Sequence, residues 1–174
     1  GGMILTDDPS VWELVNDYRD NGKFNDNIQS GTNSKMSEAD CAQMLVKLKY
    51  FDQWQQRRKD IAEYYSEELD GLVGTPIIDP NVEPAWSKYV IHTINRTELV
   101  HSLDAAGIET RINYTIPLHQ TSVSFGYVPF DDSDLGPLEA AERFSHTCLS
   151  LPIYPELEDY EVEYIVDVIK QNIG

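Results

Sequence analysis

The sequence predicts an α/β fold in which a small sheet is covered by helices, with a long helix leading into it. Three observations carry this. Residues 89–94 and 108–112 are rich in β-branched and aromatic side chains and read as strands. A helical signal separates them, so strand, helix and strand follow one another. Long stretches of apolar residues at helical spacing lie on either side. A chain of 174 residues with 41% apolar content is large enough to enclose a core.

Taken in order, residues 3–6 form a short apolar run suited to a strand. Asp8 then offers an N-cap and Pro9 fits the first helical position. Val11, Trp12, Leu14, Val15 and Tyr18 share a helical face, and Gly22 supplies the stop. Residues 23–35 are polar and rich in Asn, Ser, Gly and Thr, which marks a loop of the kind that often carries function. Ser37 with Asp40 reads as a capping box. From Cys41 to Leu69 apolar residues keep helical spacing, as one helix or as two with a bend near Asp52. Residues 72–84 are a connection rich in proline and glycine. Asn95 with Glu98 starts the helix between the two strands. Residues 115–136 are irregular, 137–149 helical, 150–153 extended, and 158–172 a final amphipathic helix.

Thirty acidic residues face thirteen basic ones, for a formal net charge of −17. Such a surface repels nucleic-acid backbones and anionic membranes, so neither is an expected partner. The acids are spread along the whole length, which suits an ordinary acidic cytosolic protein or, the preferred reading, one from a salt-rich cytoplasm where the repulsion is screened. No run approaches the length of a membrane span and no secretory signal is visible, so a cytoplasmic location is expected. Cys41 and Cys148 lack metal or disulfide spacing and are expected to be buried in helices as small hydrophobes. His92, His101, His119 and His146 show no metal-ligand spacing either.

Taken alone, the residues offer little chemistry. His119 beside Tyr114 could form a proton-transfer pair, although a satisfied structural histidine is the commoner role. Arg57-Arg58-Lys59 is the one basic run, and on a helix such a run is more often a solvated face than an anion site.

In combination the motifs say more. Gly31-Thr-Asn-Ser-Lys-Met-Ser-Glu38 resembles the Gly-x-Asn-x-Arg-Met-Ser-Glu element of the DegT/DnrJ/StrS family of nucleotide-sugar aminotransferases, which depend on pyridoxal phosphate. Tyr114-Thr-Ile-Pro-Leu-His119 resembles that family's His-Tyr-Pro-Ile-Pro-Leu-His. Asp52, Arg57-Arg58, Ile61-Ala62 and Tyr64-Tyr65 follow its Leu-Asp…Arg-Arg…Ile-Ala-x-x-Tyr pattern. Trp86 with Tyr89-Val-Ile91 follows Trp-His-Leu-Tyr-Val-Ile, and Leu151-Pro-Ile-Tyr-Pro-Glu-Leu157 follows Leu-Pro-x-x-Pro-x-Leu. Their order and spacing make chance resemblance improbable.

The resemblance implies the C-terminal part of a fold-type-I pyridoxal-phosphate transferase. Residues 1–36 would be a remnant of the large cofactor domain, 37–70 a connecting helix or helix pair, and 71–174 the small α/β domain. Asn33 would reach across a dimer interface to the cofactor phosphate of the neighbouring subunit, since an amide can donate to oxygens that only accept. Lys35, standing where the family has Arg, would keep the charge and lose the bidentate fork. Tyr114 and His119 would lie near the substrate. A homo-oligomer is expected. The partners implied are a keto-sugar nucleotide and an amino-acid donor, and no metal and no catalytic residue is assigned to this chain.

The chemistry needs a lysine to hold the cofactor. None of Lys23, Lys35, Lys47, Lys49, Lys59, Lys88 and Lys170 stands in the matching context, which in the family lies upstream of the segment resembling Gly1-Gly-Met-Ile-Leu-Thr-Asp-Asp8. The expectation is therefore an excised piece, remnant or partial gene that binds no cofactor and is inactive alone. The alternative is a non-catalytic sugar-nucleotide-binding or assembly module, which would account for the departures at Lys35, Asn113 (for His) and Met44 (for Gly).

Overall fold

The computed structural model describes residues 2–22, 30–121 and 138–173. They form two compact units, which divide between Phe51 and Asp52.

The first unit holds helices α1 (Pro9–Arg19) and α2 (Glu38–Leu48). The Asp8 carboxylate accepts from the Ser10 amide at 2.8 Å and the Val11 amide at 3.4 Å, so α1 starts where its sequence predicts. Those bonds, led by the one from the Ser10 hydroxyl, hold the Asp8 carboxyl below its ordinary range. Ser37 caps α2 by accepting from the Asp40 amide at 3.1 Å, while its hydroxyl donates to the Asp40 carboxylate at 2.7 Å. Neither helix buries a side chain. Cys41 is accordingly exposed, against expectation. Residues 3–6 do not form the predicted strand, because no ladder partner lies beside them among the described residues; Met3 and Leu5 are 83% and 85% exposed.

The second unit holds all of α3 (Phe51–Glu68) but its first residue, and the long apolar-periodic stretch is two helices broken at Lys49 and Tyr50. It continues with β1 (Tyr89–His92), α4 (Arg96–Ala105), a 3₁₀ turn at Leu118–Gln120, α5 (Glu139–Thr147), β2 (Cys148–Leu151) and α6 (Asp159–Asn172). The strands β1 and β2 are antiparallel, with Tyr89 opposite Leu151 and His92 opposite Cys148. Single bridges widen this pair on both sides, from Gly74 to His92 and from Arg111 to Ser150. The predicted strand at 108–112 is reduced to that bridge at Arg111. The helix predicted to reach residue 149 stops at Thr147, because β1 claims Cys148 and Leu149 as strand partners. Cys148 is thus buried in a strand.

Core formation follows from periodicity. β1 alternates, burying Tyr89 and Ile91, whereas all four β2 residues are buried. On α6, Val162, Ile165, Val166, Val168 and Ile169 form one apolar stripe. It joins Ile61 and Tyr65 of α3 and Leu99 and Leu103 of α4 in a single cluster. Tyr65 packs its ring 5.1 Å from that of Tyr89 and donates to the Pro152 carbonyl at 3.0 Å; burial pushes its phenol well up.

The basic run on α3 is not a solvated face. Arg58 is half-buried and donates to the carbonyls of Ile153 at 2.6 Å and Trp86 at 3.3 Å. Arg57 donates to the Leu157 carbonyl and pairs with Asp159 at 2.7 Å. The two guanidinium groups therefore hold the Pro-rich turn between β2 and α6. Arg58→Met keeps the apolar stem and orphans the Ile153 carbonyl, so unfolding free energy should fall by about 1–3 kcal/mol. A urea midpoint unchanged from wild type would remove this role.

His92 sits where β1, Gly74 and α5 meet. Its ring lies edge-on to Phe144 at 4.7 Å, and its Nδ1 is 2.9 Å from the Thr147 hydroxyl oxygen. That hydroxyl gives its own proton to the Arg143 carbonyl, so Nδ1 must be the donor to it. Burial first, and the Arg143 charge second, lower the His92 pKa from 6.5. The unfolded chain therefore takes up this proton more readily than the native state. Stability from this group is whole above the ordinary value and is lost as pH falls below it. Between about pH 7 and pH 5 the urea midpoint of wild type should drop more than that of His92→Gln. Parallel pH profiles would refute the assignment.

Candidate functional site

In the first unit the motif loop is folded back on the end of α1. Asn21 and Gly22 take left-handed conformations with φ of 62° and 69°, which turns the chain after Asp20. The returning strand-like segment is pinned by three main-chain bonds: Thr32 to the Tyr18 carbonyl at 2.7 Å, Asn21 to Thr32 at 3.0 Å, and Ser34 to Arg19 at 2.9 Å. A Cβ on Gly31 would lie 2.3 Å from the Gly22 nitrogen, so only glycine permits this approach. Asn33 lies between the two pinned residues, in a bridge with Asp20. Its backbone is fixed, while its exposed amide has no protein partner among the described residues. Lys35 pairs with Asp20 at 2.8 Å, with both side chains about half exposed.

In the second unit Tyr114 and His119 lie on one segment tied at both ends. At the near end, Arg111 and Ser150 exchange main-chain bonds of 3.2 and 2.7 Å. The Ser150 hydroxyl also donates to the Asn113 side-chain oxygen at 3.2 Å. At the far end, Glu142 on α5 stands 3.2 Å from His119 Nε2 and accepts from the Gln120 amide at 3.2 Å. Tyr114 is 71% exposed, and the Lys88 ammonium lies over its ring, 5.8 Å from the centroid. Sequence reasoning missed Lys88 and Glu142. The signal for Lys88 was its place in Trp-x-x-Tyr-Val-Ile, where the resembling pattern has Leu. Part of the irregular stretch expected at 115–136 lies outside the described residues.

A family model described as the DegT/DnrJ/EryC1/StrS aminotransferase family matches residues 1–170. The chain belongs to that family. It is 33% identical over 176 residues to the dTDP-3-amino-3,4,6-trideoxy-alpha-D-glucose transaminase of Streptomyces venezuelae, covering 98% of this chain and 45% of that protein. The crystal structure of S. venezuelae DesV superposes with a TM-score of 0.86 at 33% identity, over 96% of this chain and 45% of that one. A DegT/DnrJ/EryC1/StrS aminotransferase from Brucella abortus gives a TM-score of 0.88 at 30% identity, over 97% of this chain and 45% of that one. The chain thus spans less than half the length of these relatives, and its neighbours are fold-type-I sugar aminotransferases.

For a family whose cofactor carries a phosphate, the donor set on the motif loop fits. The Asn33 amide has no protein partner among the described residues and can donate, and phosphate oxygens only accept. Lys35 adds a positive charge, which it shares with Asp20. Among the described residues no cluster of His, Cys, Asp or Glu could hold a metal ion, and no helix is long and apolar enough to cross a membrane.

An ionised carboxylate only accepts, so Glu142 requires His119 to carry its proton on Nε2. Nitrogen chemical shifts of the neutral ring should show that tautomer in the wild type, and Glu142→Ala should lower its share. A wild-type mixture would mean that Glu142 does not orient the ring.

Proposed function

We propose that this chain is the C-terminal segment of an aminotransferase that exchanges an amino group between an amino acid and a keto-sugar nucleotide. The single observation that carries this reading is the family match over residues 1–170, joined to relatives whose printed names are sugar transaminases. In this reading residues 1–36 belong with the cofactor domain, 37–70 connect, and 71–174 form the small domain. Pyridoxal phosphate, when bound, supplies the electron sink for moving the amino group. Asn33 donates to a phosphate oxygen of the cofactor held by a neighbouring subunit, and Lys35 contributes charge beside it. Tyr114 packs its exposed ring on the sugar or base, and His119, which Glu142 contacts, lies near the substrate on the same segment.

The lysine that holds the cofactor comes from outside these residues. A carrier lysine works when desolvated or placed beside another cation. Of the six described lysines none is buried, and Lys35, Lys59 and Lys170 face carboxylates. The bond to Glu68 raises the Lys170 pKa further, opposite to what a nucleophile needs. These features also favour the second reading, a non-catalytic sugar-nucleotide-binding or assembly module.

The product of the complete gene should convert glutamate to 2-oxoglutarate when given a keto-sugar nucleotide. The 174-residue chain should not. After incubation of this chain with pyridoxal phosphate and borohydride, peptide mapping should find sparse label on several exposed lysines. One lysine labelled stoichiometrically would overturn the placement of the cofactor lysine.

The exposed apolar residues Met3, Leu5, Trp12, Leu14, Leu45 and Leu48 give the first unit a surface suited to self-association. Salt that screens the net charge of −17 should favour it. Sedimentation should show an oligomer that strengthens with ionic strength, and a monomer at both low and high salt would exclude it.

A further inference from the structure

A groove of about 680 Å³ runs along α3 in the second unit, between that helix and the connection leading from it to β1. Its two walls are fixed. At one end of the connection Gly74 and His92 exchange main-chain bonds of 2.8 Å each. At the other end Arg58 of α3 donates to the Trp86 carbonyl at 3.3 Å, and the Trp86 ring packs 5.7 Å from that of Tyr89. Between these ties Asp79 accepts from the main-chain and side-chain amides of Asn81, at 2.8 and 3.0 Å. Pro76, Pro80 and Pro84 restrict the backbone further. The opening is held ready, so an occupant loses little in ordering it.

The walls differ in chemistry. On the α3 side Glu63 and Glu67 stand one turn apart on the same helical face, exposed and without a bonding partner among the described residues. The acids of the facing wall are engaged, Asp79 with Asn81 and Glu83 with Lys59 at 3.8 Å. What that wall leaves open is apolar: Ile78 and Val82 are 39% and 59% exposed, and Trp86 is half-buried. A simple cation would leave these side chains uncovered, and a purely apolar segment would leave two repelling carboxylates uncompensated. A second copy of the chain does not supply the cations. Its net charge is −17, and Arg57 and Arg58 of its basic run already donate to main-chain carbonyls.

Spacing narrows the occupant. A helix rises about 6 Å between positions four apart, which separates Glu63 from Glu67. Alternate side chains of an extended segment lie about 6.7 Å apart. An extended chain with basic residues at alternate positions therefore presents cations to α3 and turns the intervening side chains toward Ile78 and Val82. We propose that this groove docks an extended segment of a partner protein in which lysine or arginine alternates with apolar residues.

The probe is a capped hexapeptide of alternating arginine and valine, titrated into the full 174-residue chain and followed by its amide resonances. Saturable shifts are expected on both walls, at Glu63, Glu67, Val82 and the Trp86 indole. Glu63→Gln with Glu67→Gln should weaken binding about fivefold or more, and Val82→Ser about threefold. The matched pair Glu163→Gln with Asp167→Asn, at the same spacing on the exposed face of α6, should leave it within about twofold. Equal weakening by that pair would reduce the binding to attraction by the net charge and overturn the proposal. Spermidine producing the same shifts, at an affinity that Val82→Ser does not alter, would make the groove a small-cation site and overturn the peptide. Shifts that are absent, or confined to residues outside the groove, would overturn it outright.

Discussion

Both edges of β2 are occupied, and the second unit is organised by that fact. The strand is four residues long and wholly buried, so each of its main-chain groups must find a protein partner. β1 satisfies one edge and Arg111 the other. The helix before it carries Glu142, and the turn after it is held by Arg57 and Arg58. The segment bearing Tyr114 and His119 is thus anchored at Ser150 on the strand and at Glu142 on the adjoining helix. Positioning of the candidate substrate residues is a consequence of core formation.

Local chemistry made much of this legible from sequence. Asp8, Ser37 and the stripe on α6 announce their helices, because capping and periodicity depend on near neighbours. The strands were harder. Residues 3–6 and 108–112 have strand-like composition, yet a strand exists only where another chain segment satisfies its ladder, and that partner is distant in sequence. Cys148 reads as helical for the same reason, since nothing near it reveals that His92 lies opposite. Asn33, Tyr114 and His119 were visible through motif resemblance. Glu142 and Lys88 became visible only when folding brought them to residues 23 and 26 positions away, respectively.

The two kinds of basic residue are used differently. Arg57, Arg58 and Arg96 donate to main-chain carbonyls of Leu157, Ile153 and Ser145, where a planar group with several donors can bridge separate segments. Lys35, Lys59 and Lys170 stay at the surface beside carboxylates. Much of the arginine charge therefore serves internal architecture, and the outer surface is left more acidic than a count of basic residues suggests.

The bridge between Asp20 and Asn33 has a consequence for how this part of the family can vary. It closes a loop whose two ends are fixed by main-chain bonds on either side of Asn33. Closing such a loop costs entropy that grows only with the logarithm of its length, about 0.6 kcal/mol for each doubling. The position of Asn33 is therefore set by the bonds at Tyr18, Arg19 and Asp20. The anchor points carry the constraint, Gly31 most strictly, so a single added methyl group there would displace the one residue whose placement the whole turn serves.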